Sequence, residues 1–513
     1  MIRPSRSEFH NLARRHPVVP VVREVVADQE TPVSAFRKLA PDGTAALLES
    51  LEGGEKWGRY SVLGLRPSLT LRAWGRKLQA EGSTHGPVPS EGDPLELLQQ
   101  LVERHGAAPL PGLPRMAGGA VGFIGYDMIR QMEKLPVLAV DDLKFPDLGF
   151  VFFESVLVFD RLTQTVQIVH NARPEANPGA AYDKALEETE EILRQLSQPP
   201  PPESPVSGKP VPGVISGMSP GVYQQGVEKI RSWIRGGDVI QVVLSHRLET
   251  RLEVPAFDVY RALRVVNPSP YMYYLRVGEL EIVGSSPEVL VRREDDIVQS
   301  RPIAGTRARG LDEVSDRILE EELLANEKEK AEHVMLVDLA RNDLGRICRY
   351  GTVETDELMS VERYSHVMHL VSNVRGKLRP NTRPMDVLRA TFPAGTVTGA
   401  PKIRAMEIIE EMEPMRRGIY AGAVGYLDYR GNMDMAIAIR TMAAARGTAY
   451  VGVGAGIVAD SDPEFEYHET LRKGSALVRA LELSHKGLRD FEPAPLGLPR
   501  IQTSKDSPGG SSS

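Results

Sequence analysis

The 513-residue sequence predicts an α+β fold, and three observations carry that expectation. Short runs rich in β-branched and aromatic residues, at 147–160, 166–170, 238–247 and 448–453, read as strands. Segments with helical apolar periodicity, at 182–196, 219–235, 311–339 and 463–483, alternate with them. The stretch 198–212, QPPPPESPVSGKPVP, holds neither a helix nor a central strand and is the best boundary in the chain. The expected organisation is a region 1–198, a connector 199–214, a region 215–485 and a disordered tail 486–513.

Composition narrows the function. Hydrophobic content of 41% and charged content of 26% are those of a globular protein. A net charge of −7 and a pI near 6.0 leave no broad cationic surface for nucleic acid. The one cysteine, Cys348, excludes an intrachain disulfide or a cysteine-based metal cluster and suits a reducing compartment. The first twenty residues carry Arg3, Arg6, Arg14 and Arg15 without an apolar core, so no secretory signal is expected. No apolar run approaches the about 18 residues of a membrane span, and a cytoplasmic location is expected.

Residues 44–50 read as a strand ending in Glu49-Ser50. A carboxylate and a hydroxyl there suit the ammonium of an amino acid, although a strand entering a polar turn has the same pattern. The glycine-dense 118–127 stretch suits close packing under a sheet. Ser219-Pro220 opens a helix that Gly236-Gly237 ends, and the strand after it carries Gln241, polar within an apolar run. Residues 267–274 form a turn leading into a strand, and another strand spans 280–285. The helical region 311–339 carries Glu327, Glu329 and Glu332 among Lys328, Lys330 and His333, the usual pattern of a solvated helix. A strand at 364–374 places His366 and His369 on opposite faces. The small-residue loop 392–402 offers N–H groups and threonine hydroxyls to an oxyanion. Strands at 420–428 and 434–442 carry Tyr420 and Arg440, and an arginine inside an apolar run calls for a carboxylate.

The stretch from Gly454 to Lys473 reads as a strand, a glycine turn, an acidic loop and a helix opened by Asp462 and Pro463. Its G-x-G-x-x-A pattern matches a dinucleotide fingerprint, but Asp460, Asp462 and Glu464 would repel a pyrophosphate. Alternatively, the N–H groups of Gly454, Ala455 and Gly456 cradle a carboxylate while Glu466 and Glu469, with Lys473 one turn on, flank a divalent cation. A plain turn before a solvated acidic helix is the third reading. Two Glu-x-x-Glu pairs, one on each of two helices, are what an oxygen-ligated Mg²⁺ needs.

Together, Ile303-Ala-Gly-Thr306, Lys328-Glu-Lys-Ala-Glu-His333, Leu336-Val-Asp-Leu-Ala-Arg-Asn-Asp343, His369-Leu-Val-Ser372, Pro393-Ala-Gly-Thr-Val-Thr-Gly-Ala-Pro-Lys402, Ala438-Ile-Arg-Thr441 and the 454–469 segment resemble the chorismate-utilising enzymes, above all the large subunits of anthranilate synthases. The match runs in order through nearly all of residues 30–485. The resemblance implies two interleaved subdomains, with antiparallel sheets packed face to face and helices outside. It implies chorismate and Mg²⁺ as ligands. The metal would be held by Glu332 and Glu469 with Glu466, Glu329 would be the general acid, and His369 and Thr306 would stand at the ring. Chorismate would be bound, at its carboxylates, by Thr396, Tyr420, Arg440 and the turn at Gly454, Ala455 and Gly456, with Lys473 also among the substrate-binding residues.

Two positions separate branches of that family. Ala304 stands where the aminodeoxychorismate synthases carry a lysine nucleophile, and Gln241 stands where isochorismate and salicylate synthases carry a lysine that activates water. Both imply ammonia as the attacking group, giving anthranilate and pyruvate. An aminodeoxyisochorismate synthase, which stops before pyruvate leaves, is the alternative within the family, and a nucleotide-binding oxidoreductase the one outside it. Cys348 lacks the context of a glutaminase nucleophile, so a separate glutamine amidotransferase subunit is implied. By the same resemblance Glu49, Ser50, Pro270, Tyr271 and Met272 would bind L-tryptophan as feedback inhibitor.

Overall fold

The computed structural model describes residues 2–51, 58–175, 177–203, 213–310, 312–363, 367–488, 498–499 and 501–502, with the side chains at 306, 308, 367 and 502 outside the description. His366, most of the connector and most of the tail lie outside the described residues.

Two long strands, Tyr60–Trp74 and Leu148–Asp160, pair antiparallel from Tyr60 opposite Asp160 to Ala73 opposite Leu148, with a register shift between Pro67 and Leu69. Leu148–Asp160 is dense in Val, Leu and Phe, as a strand buried on both faces requires, whereas Tyr60–Trp74 is buried on both faces only from Ser61 to Leu65 and alternates beyond Leu69. At the bulge the ribbon changes partners, which divides one continuous network into two sheets. On the side of residues 60–65, Ala45–Glu49 adds to the ribbon. Tyr271–Val277, Leu280–Ser286, Thr441–Ala445, Thr448–Ile457 and Gln241–Arg251 follow in order. Thr165–Ala172 and Val19–Val26 extend the same sheet in the other direction. On the side of residues 69–74, Lys77–Gly82 pairs at one edge and Gly119–Ile124 continues from Leu148–Asp160. Ala423–Asp428, Met433–Ile437, Val289–Glu294, Ile297–Ser300 and Val367–Lys377 complete the second sheet.

The two sheets face each other across a shared apolar layer that includes Val62, Phe123, Phe153, Tyr273, Ile282 and Val424. Helices cover the outer faces: Pro220–Gly236, Ala256–Val266 and Pro463–Lys486 close one cluster, and Pro94–Arg104 and Pro384–Thr391 the other. Strands from before and after the proline-rich connector pair with each other in both sheets, Ala45–Glu49 with Tyr271–Val277 and Gly119–Ile124 with Ala423–Asp428.

Local chemistry explains most boundaries. Ser219 Oγ accepts from the Val222 N–H at 3.4 Å to start one helix, which Gly237 ends at φ 85°. Asp462 Oδ1 accepts from the Phe465 N–H at 2.8 Å to start Pro463–Lys486. Three expectations are corrected. The helical region 311–339 is two helices, Glu313–Ala325 and Glu327–Gly345. The extended Asn326 breaks it and caps the second helix by accepting from the Lys328 and Glu329 N–H groups. The strand expected at 434–442 is interrupted, with Arg440 at φ 51° between Met433–Ile437 and Thr441–Ala445. Residues 454–456 form no turn, because the strand continues through them to Ile457.

Candidate active site

Glycines at 452, 454 and 456 share one face of Thr448–Ile457, and a Cβ at each would meet a side chain. At Gly452 it would lie 2.2 Å from the Tyr420 ring, at Gly454 2.6 Å from the Tyr420 hydroxyl and at Gly456 2.4 Å from Gln241 Nε2. The glycines are there for close approach rather than for a turn. The Val243 N–H is spent on the Thr398 carbonyl and the Ser245 N–H on Glu413, both away from this strand. Their partners in register, Gly456 and Gly454, therefore form non-hydrogen-bonded pairs, and their N–H and C=O groups point to the opposite edge. There the Gly454 carbonyl accepts from Lys473 Nζ at 3.2 Å. The expected turn is replaced by a strand edge that offers an anion the outward N–H groups of Gly454 and Gly456, whereas Ala455, expected to join them, falls in the hydrogen-bonded pair with Leu244 and turns its N–H the other way.

Three predicted carboxylate contacts border that edge. Tyr420 is buried in the turn before Ala423–Asp428, and burial pushes its hydroxyl up to about 12, so it acts as a neutral donor. Arg440 occupies the left-handed region, uncommon for a non-glycine residue. Burial lowers its guanidinium pKa, opposed by Glu469 and Tyr420 nearby. The Thr396 hydroxyl oxygen, in the Gly395–Val397 turn, is buried and makes no hydrogen bond of good geometry.

The carboxylates form an outer ring about Lys473, whose pKa burial lowers while Glu469, Glu466 and Glu332 raise it. Glu332, pushed up by burial, accepts from Gln241 Nε2 at 3.1 Å, and Gln241 Oε1 is buried without a hydrogen-bond partner. Glu466 is pushed up by burial too, whereas Glu469 meets Arg472 at 2.9 Å and Lys473 at 3.7 Å. As hard oxygen donors the three carboxylates suit Mg²⁺ in kind. Among the described residues, however, no three His, Cys, Asp or Glu side chains are gathered closely enough to hold a metal ion.

The opposite wall is Ile303–Ala308 paired with Val367–Lys377, which places Thr306 opposite His369 in register and Ala304 opposite Leu370. The Thr306 side chain lies outside the described residues. His369 Nδ1 lies 3.1 Å from the Gly305 carbonyl and must carry the proton, while burial pushes the ring pKa down. The imidazole is thus neutral, with Nε2 as its basic nitrogen. Glu329 is ion-paired with Arg307 at 3.2 Å and so presents a compensated carboxylate.

A second carboxyl, not singled out from the sequence, fits proton donation better. Glu288 is buried, and burial pushes it up to about 8 against the pull of the Thr396 hydroxyl and the Ile303 N–H. It is neutral at pH 7 and stands where two of the predicted motifs meet. Its sequence signal, a carboxylate heading the apolar Val289-Leu-Val291, is of the same kind as that of Arg440.

The five residues expected to bind an amino acid come together elsewhere. Glu49, Ser50, Pro270, Tyr271 and Met272 line one cavity of about 600 Å³ between the sheets. The Glu49 carboxylate is already engaged, by the Tyr260 hydroxyl at 2.5 Å, Arg264 at 2.7 Å and Arg161 at 3.8 Å. Tyr271 donates to Asp434 at 2.9 Å.

The fold and this site define a class: the sequence profile of the chorismate binding enzymes matches residues 47–479, and the chain belongs to that family. Within it, the chain is 46% identical over 488 residues to anthranilate synthase component 1 of Acetivibrio thermocellus, covering 94% of this chain and 99% of the relative. The crystal structure of anthranilate synthase component I from Streptococcus pneumoniae superposes with a TM-score of 0.74 at 39% identity, covering 83% of this chain and 95% of that one. The menaquinone-specific isochorismate synthase of Escherichia coli shares the fold at 20% identity and a TM-score of 0.68, covering 93% of this chain and 98% of that one. Among the described residues no helix is long and apolar enough to cross a membrane.

Proposed function

We propose that this chain is the large subunit of an anthranilate synthase, converting chorismate and ammonia to anthranilate, pyruvate and water. The observation that carries the reading is that one strand, Ile303–Ala308, meets both a buried carboxyl pushed up to about 8, Glu288 through the Ile303 N–H, and a neutral imidazole, His369 through the Gly305 carbonyl, in a site whose positions 241 and 304 hold no lysine. The site supplies a proton donor and a base, and its amine, Lys473, is engaged by the Gly454 carbonyl and Glu469, so in this reading the nucleophile comes from solution.

In this reading Arg440, Tyr420, Thr396 and the N–H groups of Gly454 and Gly456 hold the substrate carboxylates. Glu288, rather than Glu329, gives its proton to the departing 4-hydroxyl, which leaves as water while ammonia bonds to ring carbon 2. The resulting ammonium returns a proton to the Glu288 carboxylate. His369 Nε2 then takes the proton from carbon 2 as the bond from carbon 3 to the enolpyruvyl oxygen breaks. The pyruvate enolate leaves, its methylene carbon takes up the proton that His369 gives back, and it becomes pyruvate as the ring is left aromatic. Glu332, Glu466 and Glu469 are the residues that would hold Mg²⁺, which when bound supplies positive charge to a substrate carboxylate.

Use of glutamine is assigned to a separate amidotransferase subunit. The one thiol, Cys348, is buried and pushed up to about 11, the opposite of an activated nucleophile. Tryptophan is assigned to the cavity lined by Glu49, Ser50, Pro270, Tyr271 and Met272, whose mixture of apolar and charged walls suits an amino acid with a large ring. The buried, reduced cysteine also supports a cytoplasmic placement.

The purified chain with chorismate, Mg²⁺ and ammonium should produce anthranilate fluorescence that tryptophan suppresses, and glutamine should not replace ammonium. Accumulation of an aminated product that keeps its pyruvyl group would instead indicate an aminodeoxyisochorismate synthase. Glu469→Gln should remain folded and lose the Mg²⁺ dependence of the rate together with most of the rate; an unchanged Mg²⁺ titration would remove Glu469 from the ligand set.

A further inference from the structure

Behind Tyr420, on the side away from the substrate edge, lies an ion pair that the chemistry above does not use. Arg417 and Glu413 have side chains only 2% and 5% exposed and meet through a two-pronged contact, Nε to Oε2 at 2.8 Å and Nη2 to Oε1 at 2.6 Å. Each partner also grips the backbone. Arg417 Nη1 donates to the Val397 carbonyl at 2.7 Å and Nη2 to the Val243 carbonyl at 2.8 Å. Glu413 Oε1 accepts from the Ser245 N–H at 2.8 Å and the Ser245 hydroxyl at 2.9 Å. The guanidinium lies 5.7 Å from the Tyr420 ring centroid and 4.7 Å from that of Tyr126.

Each gripped group belongs to a part of the carboxylate site. Val397 follows Thr396 in the Gly395–Val397 turn. Val243 and Ser245 stand opposite Gly456 and Gly454 in register. Tyr420 fills the space that the absent side chains of Gly452 and Gly454 leave. Three segments distant in sequence are thus tied to one rigid fork. A buried ion pair adds little net stability over an apolar pair of equal volume, so its distinctive product here is fixed geometry.

We propose that the pair of Arg417 and Glu413 is a positioning element for substrate binding, setting the mutual placement of Thr396, Tyr420 and the outward N–H groups of Gly454 and Gly456. The inference rests on the reading of that edge as the seat of a chorismate carboxylate. A carboxylate held equally before and during reaction contributes uniform binding, so loosening its seat raises KM and spares kcat. The ammonium KM, which reports a second substrate that carries no carboxylate, serves as the internal control.

The test is steady-state kinetics of the full chain with Mg²⁺, varying chorismate and ammonium separately, for wild type, Arg417→Lys and Ser245→Ala, with thermal unfolding recorded alongside. Arg417→Lys keeps the charge and loses the fork, and should raise the chorismate KM by about tenfold or more while kcat and the ammonium KM change little. Ser245→Ala deletes one donor to Glu413 from a fold otherwise intact and should raise the chorismate KM about threefold. A fall in kcat at unchanged chorismate KM overturns the proposal, because it reports fewer active molecules or a loss confined to the transition state, not a loosened substrate seat. So does an Arg417→Lys chain that fails to fold combined with a wild-type chorismate KM in Ser245→Ala. A wild-type chain that makes no anthranilate overturns the proposed function itself, and this inference with it.

Discussion

Replacing Glu288 by Gln keeps its shape and its contacts with the Ile303 N–H and Thr396 but removes the transferable proton. The expected result is a kcat lower by about 10²–10⁴ with chorismate still bound, checked by steady-state kinetics and a binding titration. The sign of the pH dependence follows from its protonation. The donor is the neutral acid, so wild-type kcat should hold below pH about 8 and fall as pH rises through it. Folded Glu288 also binds a proton more tightly than in the unfolded chain. Its contribution to stability is full below the ordinary carboxylate value and declines up to about pH 8. Glu288→Gln should abolish that slope in a series of unfolding curves. A kcat profile unchanged by the substitution would return the donor role to Glu329. Arg440 shows how far a single residue is legible: its place in an apolar run calls for a carboxylate partner, but its φ of 51° arises only from the break between two strands.

At the scale of the element, Thr448–Ile457 illustrates what periodicity carries and what it misses. Alternate glycines on a strand and successive glycines in a turn have the same composition, and the choice between them depends on what occupies the vacated face. Tyr420 and Gln241 occupy it, and both are far away in sequence. The element predicts its own test. Gly452→Ala would place a methyl group 2.2 Å from the buried Tyr420 ring and should cost about 1–3 kcal/mol of stability, read by denaturant unfolding. Because the ring must move, the chorismate KM should rise as well. A variant with unchanged midpoint and KM would show that Tyr420 is free to shift without consequence. By contrast Asp462-Pro463 and Ser219-Pro220 specify helix starts from nearest neighbours alone, and both helices begin where the sequence places them.

At the scale of the whole molecule, the proline-rich stretch divides the sequence but not the sheets. Strands from both sides of it pair edge to edge in each half, so neither region has a complete core of its own. A protease site inserted between residues 204 and 212 should therefore yield two fragments that co-elute on gel filtration under native conditions and unfold in one transition. Fragments that separate without denaturant would contradict the interleaving. The same topology brings two cavities to one strand. In Met433–Ile437, Asp434 lines the large cavity while the Ile437 N–H donates to the Glu288 carbonyl at 3.0 Å.

The sequence by itself determined the α+β class, the helix starts and the family, because each rests on contacts between neighbours or on motifs complete within a few residues. Helix caps, apolar periodicity and short ordered motifs need no knowledge of the rest of the chain. Only the tertiary structure decided that residues 454–456 are a strand edge, that Arg440 sits in a break, that burial pushes the Glu288 carboxyl up, and that Arg417 and Glu413 bridge the Val243–Ser245 and Val397 backbones. Each of these depends on burial or on a partner brought from a distant segment, and desolvation and close approach are properties of the assembled core.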